Sequence, residues 1–512
     1  MISMKGFRCE TEEYSNKRSV PMEKKKTRNN TRTRAAVNFF VLSFACSCAF
    51  LVLTLFNKHL LISVTVAISV AYTICSLFLH PRCSVWKDPF HPTIFLKVVM
   101  LIGYFAGIIK MISQSNSSFS LDTLLAVAVV GLVFVITVDL LALTLLVPSY
   151  QHKQMLLSLE RPFASREMMR IFMIIYVLGW GWRLYALSKG FLYGTLLGTT
   201  LEVTAYGNVL SVLNNLGFVA LMGIVACAKS FRLIISIAAL EIGFAMICGS
   251  KGAILYILLP VFVILFHRKL WQPSFRSIIG ATFIALAGLL AFTVVDEYRA
   301  ASQWIMMRKG TEALSPITAF EVLRSRSEVP EKIDTAKLVD RITILSEHFA
   351  YIVDVDRERH LGRWLGESYL PLVVWFIPRA VWPNKPVFSR GYWYAGEILG
   401  WQYRTRAEAA ITLWGDAYMN FGWIGTIFVP IVWICIVFLV YKFSLAQGIW
   451  GLVFIGAVYN KFLMLEQNMA VPLTNIIQTG LVVLLLYGIS RFLLRTTCTR
   501  RMKRSLKEVS NG

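Results

Sequence analysis

Apolar blocks recur along the chain at about 35–56, 60–79, 94–113, 121–148, 168–187, 208–228, 233–248, 252–266, 277–295, 421–441, 448–464 and 474–490. Most approach the ~20 residues that carry a helix across a hydrocarbon core of ~30 Å. The pattern predicts an all-α polytopic integral membrane protein of about twelve transmembrane helices. Block 252–266 is short and block 448–464 carries Lys461, so eleven or thirteen spans also fit. Five regions follow: a basic tail over 1–34, spans over 35–295, a hydrophilic loop over 296–410, spans over 411–491 and a basic tail over 492–512. The first tail lacks an apolar h-region, so it does not read as a cleavable signal peptide.

Basic residues set the orientation. With both termini in the cytoplasm, that side holds both tails, Arg82, Lys87, Lys153, Arg161, Arg166, Lys229, Arg232, Arg268, Lys269, Arg276 and Lys442. The short outer loops and adjoining span ends hold Lys58, Lys110, Arg183, Lys189 and Lys251. This asymmetry follows the positive-inside rule, which counts short loops only. Segment 296–410 then becomes one large outer loop. Its 16 Lys and Arg residues do not oppose the assignment, because long loops translocate regardless of charge.

Composition agrees with the pattern. Hydrophobic residues make up 56% and charged residues only 16% of 512, against ~25% charged in a soluble domain. The formal charge of +23 comes with no nucleic-acid-binding fold or stacking module. Beside membrane spans, basic runs such as Lys24-Lys25-Lys26 and Arg500-Arg501 read as topology signals and anionic-lipid contacts. No nucleic-acid partner is expected; the bilayer is. The nine cysteines avoid the outer loop, so no disulfide framework is implied.

Loops of this length are functional or disordered. Segments 339–356 and 362–380 mix apolar and polar residues at helical spacing, which argues for order. Leu370 to Ile377 is too short to span and reads as an interfacial or re-entrant element. Seven of the fourteen tryptophans fall between Trp364 and Trp423. They form either an interfacial aromatic belt or platforms for sugar rings; Trp382, Trp393, Tyr394 and Trp414 are the platform candidates. Gly249-Ser250-Lys251-Gly252 and the proline-rich Ile377 to Pro386, with Arg379 and Lys385, place cations on tight backbone, with Arg390 just beyond. Glu408 and Asp416 stand eight residues apart, on one face if that stretch is helical. Either carboxylate suits a general base, or a helix-end acid paired with Arg404 or Arg406. Within spans, Asp139 or Glu241 can pair with Lys97 or Lys461, or serve an ion path.

Gly366-Glu367-Ser368-Tyr369 running into Ile377-Pro378-Arg379 and Trp382-Pro383-Asn384-Lys385-Pro386 resembles the "iPR-x-x-WP-x-KP" signature of bacterial Wzy-type oligosaccharide repeat-unit polymerases. The stretch Gly415 to Gly425 is similar to that family's "G-E-x-Y-x-N-F-G-x-x-G" element, and Gly249 to Gly252 to its "G-S-R-G". The architecture resembles theirs along nearly the whole chain. Lys251 stands where arginine is usual and Asp416 where glutamate is usual.

The resemblance implies a glycosyltransferase in the bacterial inner membrane. Its substrate would be an undecaprenyl-diphosphate-linked oligosaccharide on the outer face, built into O-antigen, capsule or exopolysaccharide. Lys251, Arg379 and Lys385, with Arg390 and Arg299 behind them, would hold the diphosphate, and Asp416 or Glu408 would activate the acceptor. No metal or other cofactor is expected, since basic side chains would neutralise the leaving group. A chain-length regulator and a flippase are the implied partners. An O-antigen ligase-like transferase, using His348 or His360, and a transporter of lipid-linked sugars are the alternatives.

Overall fold

The computed structural model describes residues 58–80, 88–114, 119–145, 165–188, 207–247, 253–268, 340, 343–374, 382, 390–400 and 409–510. All regular structure among them is helical. The principal helices are α1 (Lys58–Leu79), α2 (Pro92–Ser113, with a π-helical turn at Met100–Phe105), α3 (Leu121–Leu145), α4 (Ser165–Ser188), α5 (Gly207–Cys227) and α6 (Phe231–Ile247). They continue with α7 (Ala253–His267), α8 (Ile344–Arg359), α9 (Leu413–Ala446), α10 (Ile449–Val458) and α11 (Ala470–Ser510). Ten of the twelve apolar blocks coincide with these helices; 35–56 and 277–295 lie outside the described residues. Five helices are long and apolar enough to cross a membrane: His59–Leu79, Pro92–Ser113, Leu121–Leu145, Leu413–Ala446 and Ala470–Phe492. The chain is thus a helical membrane protein.

Helix α3 packs on α1 and α9, and α5 packs on α4, α7, α10 and α11. Helix α10 joins the two groups by touching α5, α7, α9 and α11. Polar contacts mark one end of the bundle: the Tyr441 hydroxyl donates to Asp88 Oδ2 at 3.0 Å, and Lys442 Nζ donates to the Leu145 carbonyl at 3.3 Å. Arg268 caps the last turn of α5 by donating to the Val225 and Ala228 carbonyls at 2.8 and 2.6 Å. Deeper in, charged groups are paired. Lys97 meets Asp139, which also accepts from the Tyr72 hydroxyl at 3.0 Å, and Arg183 meets Glu241 at 2.6 Å. Asp139 therefore takes one of the two lysines considered, whereas Glu241 takes Arg183 instead. Such pairing lets ionised groups sit among apolar helices.

Helix α8, from the long hydrophilic segment, lies across the opposite end. Leu345, Phe349, Ile352 and Val353 recur at helical spacing and are buried, while Arg357 and Arg359 stay exposed. A Cβ at Gly107 would stand 2.2 Å from Ser346 Oγ and 2.6 Å from the Thr343 carbonyl, so α2 and the start of α8 approach as only glycine permits. Lys110 Nζ binds Glu347 at 2.8 Å and Asp340 at 2.7 Å. Asp354 braces the Ser120 N-cap of α3, accepting from the Ser120 amide at 3.2 Å and from the Thr123 hydroxyl. Asp354→Ala orphans these donors and is expected to cost ~1–3 kcal/mol. Proteolysis near 340–360 should accelerate accordingly, and an unchanged rate would show that the brace does not hold α8 down.

Helix α9 has the least regular course. Straight, its 34 residues would reach ~51 Å, well beyond the hydrocarbon core. It breaks at Gly422, whose φ of 65° and ψ of −152° are non-helical. A Cβ on Gly425 would lie 2.2 Å from the Ala417 carbonyl oxygen. Residues eight apart in a continuous helix are separated by ~12 Å, so the chain doubles back at Gly422. Residues 413–421 form a short helix lying against the start of 423–446. Its first turn reaches into the bundle, where the Trp414 ring stands 4.8 Å from Tyr104 and 5.2 Å from Phe134, in the middle stretches of α2 and α3. The Thr412 and Leu413 amides donate to the Glu466 and Leu465 carbonyls at 3.0 and 2.9 Å. These bonds tie the buried helix start to the connection between α10 and α11.

The structure alters three boundaries. The span expected at 421–441 is preceded by this inserted half-helix rather than by loop. Helix α10 ends in a 3-10 turn at Tyr459–Leu463, so block 448–464 is short. The basic C-tail continues α11 to Ser510.

Candidate functional site

The inserted half-helix carries the site. Thr412, at φ 65°, is its N-cap, and the Thr412 hydroxyl accepts from the Gly415 amide at 3.1 Å. Because the helix begins at Leu413, the two-turn helical relation expected between Glu408 and Asp416 does not hold. Asp416 occupies the first turn and is fully buried, with neither carboxyl oxygen in a regular hydrogen bond among the described residues. The nearest polar influences on it are the Ser368 and Tyr369 hydroxyls, the Arg390 charge and the Asn420 amide.

Segment 364–370 covers this carboxyl. The Trp364 amide donates to the Met419 carbonyl at 3.0 Å, and the Gly366 amide donates to Asn420 Oδ1 at 2.9 Å. Asn420 Nδ2 donates to Ser368 Oγ at 2.8 Å and to the Asp416 carbonyl at 2.7 Å. One buried amide thus fastens the covering segment to the half-helix. The Tyr369 ring stacks on Phe421 with centroids 6.1 Å apart. Burial, then the Asp416 charge, pushes the Tyr369 hydroxyl well above the ordinary phenol range. It therefore keeps its proton beside the carboxyl.

Arg390 closes the outer side of the cover. Its Nη2 lies 2.7 Å from Glu367 Oε1, and its guanidinium sits 4.5 Å from the centre of the Trp364 ring. Trp364 in turn meets Trp393 edge-on at 4.7 Å. On the other flank, Arg363 Nη2 and the Tyr418 hydroxyl donate to Asp356 at 2.9 and 2.8 Å, joining α8, the cover and the half-helix.

Of the residues expected from sequence, Asp416 and Arg390 are brought together, with Trp393 beside Arg390 through Trp364. Trp382 is 37% exposed. Trp414 and Tyr394 are buried without remainder, Trp414 between Tyr104 and Phe134 and Tyr394 against His348. Their ring faces are occupied by protein, which corrects the sugar-platform role expected for both. Lys251, Arg299, Arg379, Lys385 and Glu408 lie outside the described residues, as do Arg404 and Arg406. His348 Nδ1 is 2.6 Å from the Ala410 carbonyl, and His360 ends α8 in a left-handed conformation.

Sequence reasoning passes over Glu367, Ser368, Tyr369 and Asn420 as site residues, although all four lie in the stretches that carry the resemblance. Thr412 before an apolar run is a readable N-cap signal for where the half-helix begins. A buried carboxylate next to an arginine and two hydroxyls is suited to proton abstraction beside a developing negative charge. No protein-family model, curated protein or solved structure matches this chain.

Proposed function

We propose that this chain is a polymerase of lipid-linked oligosaccharide repeat units at the outer face of the bacterial cytoplasmic membrane, with both termini in the cytoplasm. One observation carries the proposal. Gly366 to Tyr369, which leads into the signature-like stretch at Ile377 to Pro386, and Gly415 to Gly425, which resembles the family's second element, are about 50 residues apart in sequence and meet around the buried Asp416.

In the proposed reaction an acceptor hydroxyl of the new repeat attacks the anomeric carbon of the growing glycan. The new C–O bond forms as the anomeric C–O bond to undecaprenyl diphosphate breaks. The leaving diphosphate takes the bonding electrons, and the hydroxyl proton passes to Asp416. Arg390 supplies positive charge to the leaving group, joined in the proposal by Lys251, Arg379, Lys385 and Arg299. Oriented cations of this kind act where charge develops. Trp382 and Trp393 remain as aromatic surface for sugar rings.

The test is deletion of the gene, complemented by wild type or by Arg390→Ala, with surface glycan resolved as a ladder. Loss of the ladder with a single capped repeat retained, restored by wild type and not by the variant, is the expected outcome. Loss of the single repeat as well would point to ligation or export, and an unchanged ladder would refute the proposal.

A further inference from the structure

Asp416 has no exposed surface, and Ser368 and Tyr369 of segment 365–370 lie beside its carboxyl. That segment is anchored at both ends. Trp364 is held by the Met419 carbonyl, and Pro371–Val374 packs on α11. Between the anchors Leu365, 80% exposed, takes φ 48°, which residues with a Cβ rarely adopt, and Gly366 takes φ 93°, which glycine allows. Glu367 points outward with 55% of its side chain exposed, and Ser368 points inward and is buried. Three contacts tie the segment down: Asn420 from below, Arg390 from outside and the stack of Tyr369 on Phe421.

Arg390 matters twice in this geometry. Its contact with Glu367 holds the cover closed, and its charge also acts on the buried carboxyl. A diphosphate binds a guanidinium through paired oxygens and carries more charge than a glutamate. An anion taking that face of Arg390 must displace Glu367. We infer that segment 365–370 is a lid over Asp416, latched by Glu367 on Arg390 and released when a diphosphate group competes for that guanidinium. The lid couples occupation of the anion site to exposure of the carboxylate, so the base meets solvent only after the donor has bound. Leu365, whose left-handed backbone relaxes on opening, and the conformationally free Gly366 are the hinge at one end. The latch and hinge are read from geometry; the identity of the anion rests on the proposed polymerase reading.

Ser368→Cys places a thiol on the inner face of the lid. Its alkylation in the purified full-length chain, read by peptide mass spectrometry, reports opening without any glycan substrate. Slow alkylation is expected in the resting chain. Adding Glu367→Gln should raise the rate about tenfold, and millimolar inorganic diphosphate should raise it several-fold over sodium chloride at matched ionic strength. Arg390→Gln should alkylate as fast as Glu367→Gln and lose its response to diphosphate. No acceleration by Glu367→Gln would overturn the latch. Acceleration by Glu367→Gln with no response to diphosphate would overturn the anion trigger. Because labelling needs no repeat unit, a chain that opens as described but leaves the surface ladder unchanged on deletion refutes the polymerase reading alone.

Discussion

Asp416→Asn is expected to abolish polymer formation while leaving the chain folded. The substitution is nearly isosteric, and among the described residues the carboxyl makes no regular hydrogen bond that the amide would lose. Removing an acid from a fully buried position also removes a desolvation cost, so stability should hold or rise. The reaction loses its base, and a positioned general base contributes ~10²–10⁴ in rate. Extension of lipid-linked repeats in detergent, with thermal unfolding alongside, separates the two effects. More than a tenth of wild-type activity in a folded Asp416→Asn chain would remove Asp416 from the mechanism. Asp416→Glu, with the residue usual in the family the chain resembles, should retain part of the activity. Its extra methylene must fit a close-packed site beside Ser368 and Tyr369, which limits how much.

The helices were legible because lipid and helix period impose a long-range pattern on sequence. Blocks such as 60–79 and 121–148 fall within a few residues of α1 and α3. The amphipathic repeat of 339–356 likewise announced α8, since Leu345, Phe349 and Val353 must be buried together. Local backbone reversals leave no such pattern. Hydropathy marks 421–441 as one span, and nothing in the residues before it announces an inserted half-helix. The reversal is set by two dihedral angles at Gly422 and by the contact of Gly425 with Ala417. In sequence both residues are only glycines.

The site was legible as two motifs and not as one arrangement. Asp416 and Arg390 stand out by chemical type, which is local information. That Asn420 bridges the two stretches depends on tertiary approach and has no periodicity to announce it. Aromatic density misled at Trp414 and Tyr394 for a related reason. Composition counts rings but does not say whether their faces meet solvent or another ring, and here Trp414 meets Tyr104 and Phe134. The π-helical turn at Met100–Phe105, which includes Tyr104, was equally invisible, because a π turn adds one residue to a pattern that hydropathy averages over.

Gly422→Ala is expected to unfold the half-helix and lose activity and stability together. With φ 65° and ψ −152°, Gly422 lies in a region occupied almost only by glycine, and a Cβ there costs ~1–3 kcal/mol before any contact is lost. Gly425→Val attacks the same reversal sterically, since its Cβ would stand 2.2 Å from the Ala417 carbonyl, where both partners are backbone and neither can swing away. The two changes break one feature, so the double variant should be little worse than the worse single one. Gly181 and Gly243 supply the contrast: both lie in helices, and a methyl group added to either would meet nothing within 4 Å, so alanine there should be neutral or slightly stabilising. Thermal unfolding in detergent ranks all five variants, and a Gly422→Ala chain as stable as wild type would mean the reversal is not what holds 413–421 in place. Paired with Asp416→Asn, the series divides support from chemistry. Losing the carboxylate should remove activity at constant stability, whereas losing the turn should remove both, because the turn inserts residues 413–421 into the bundle and puts Asp416 beneath segment 364–370.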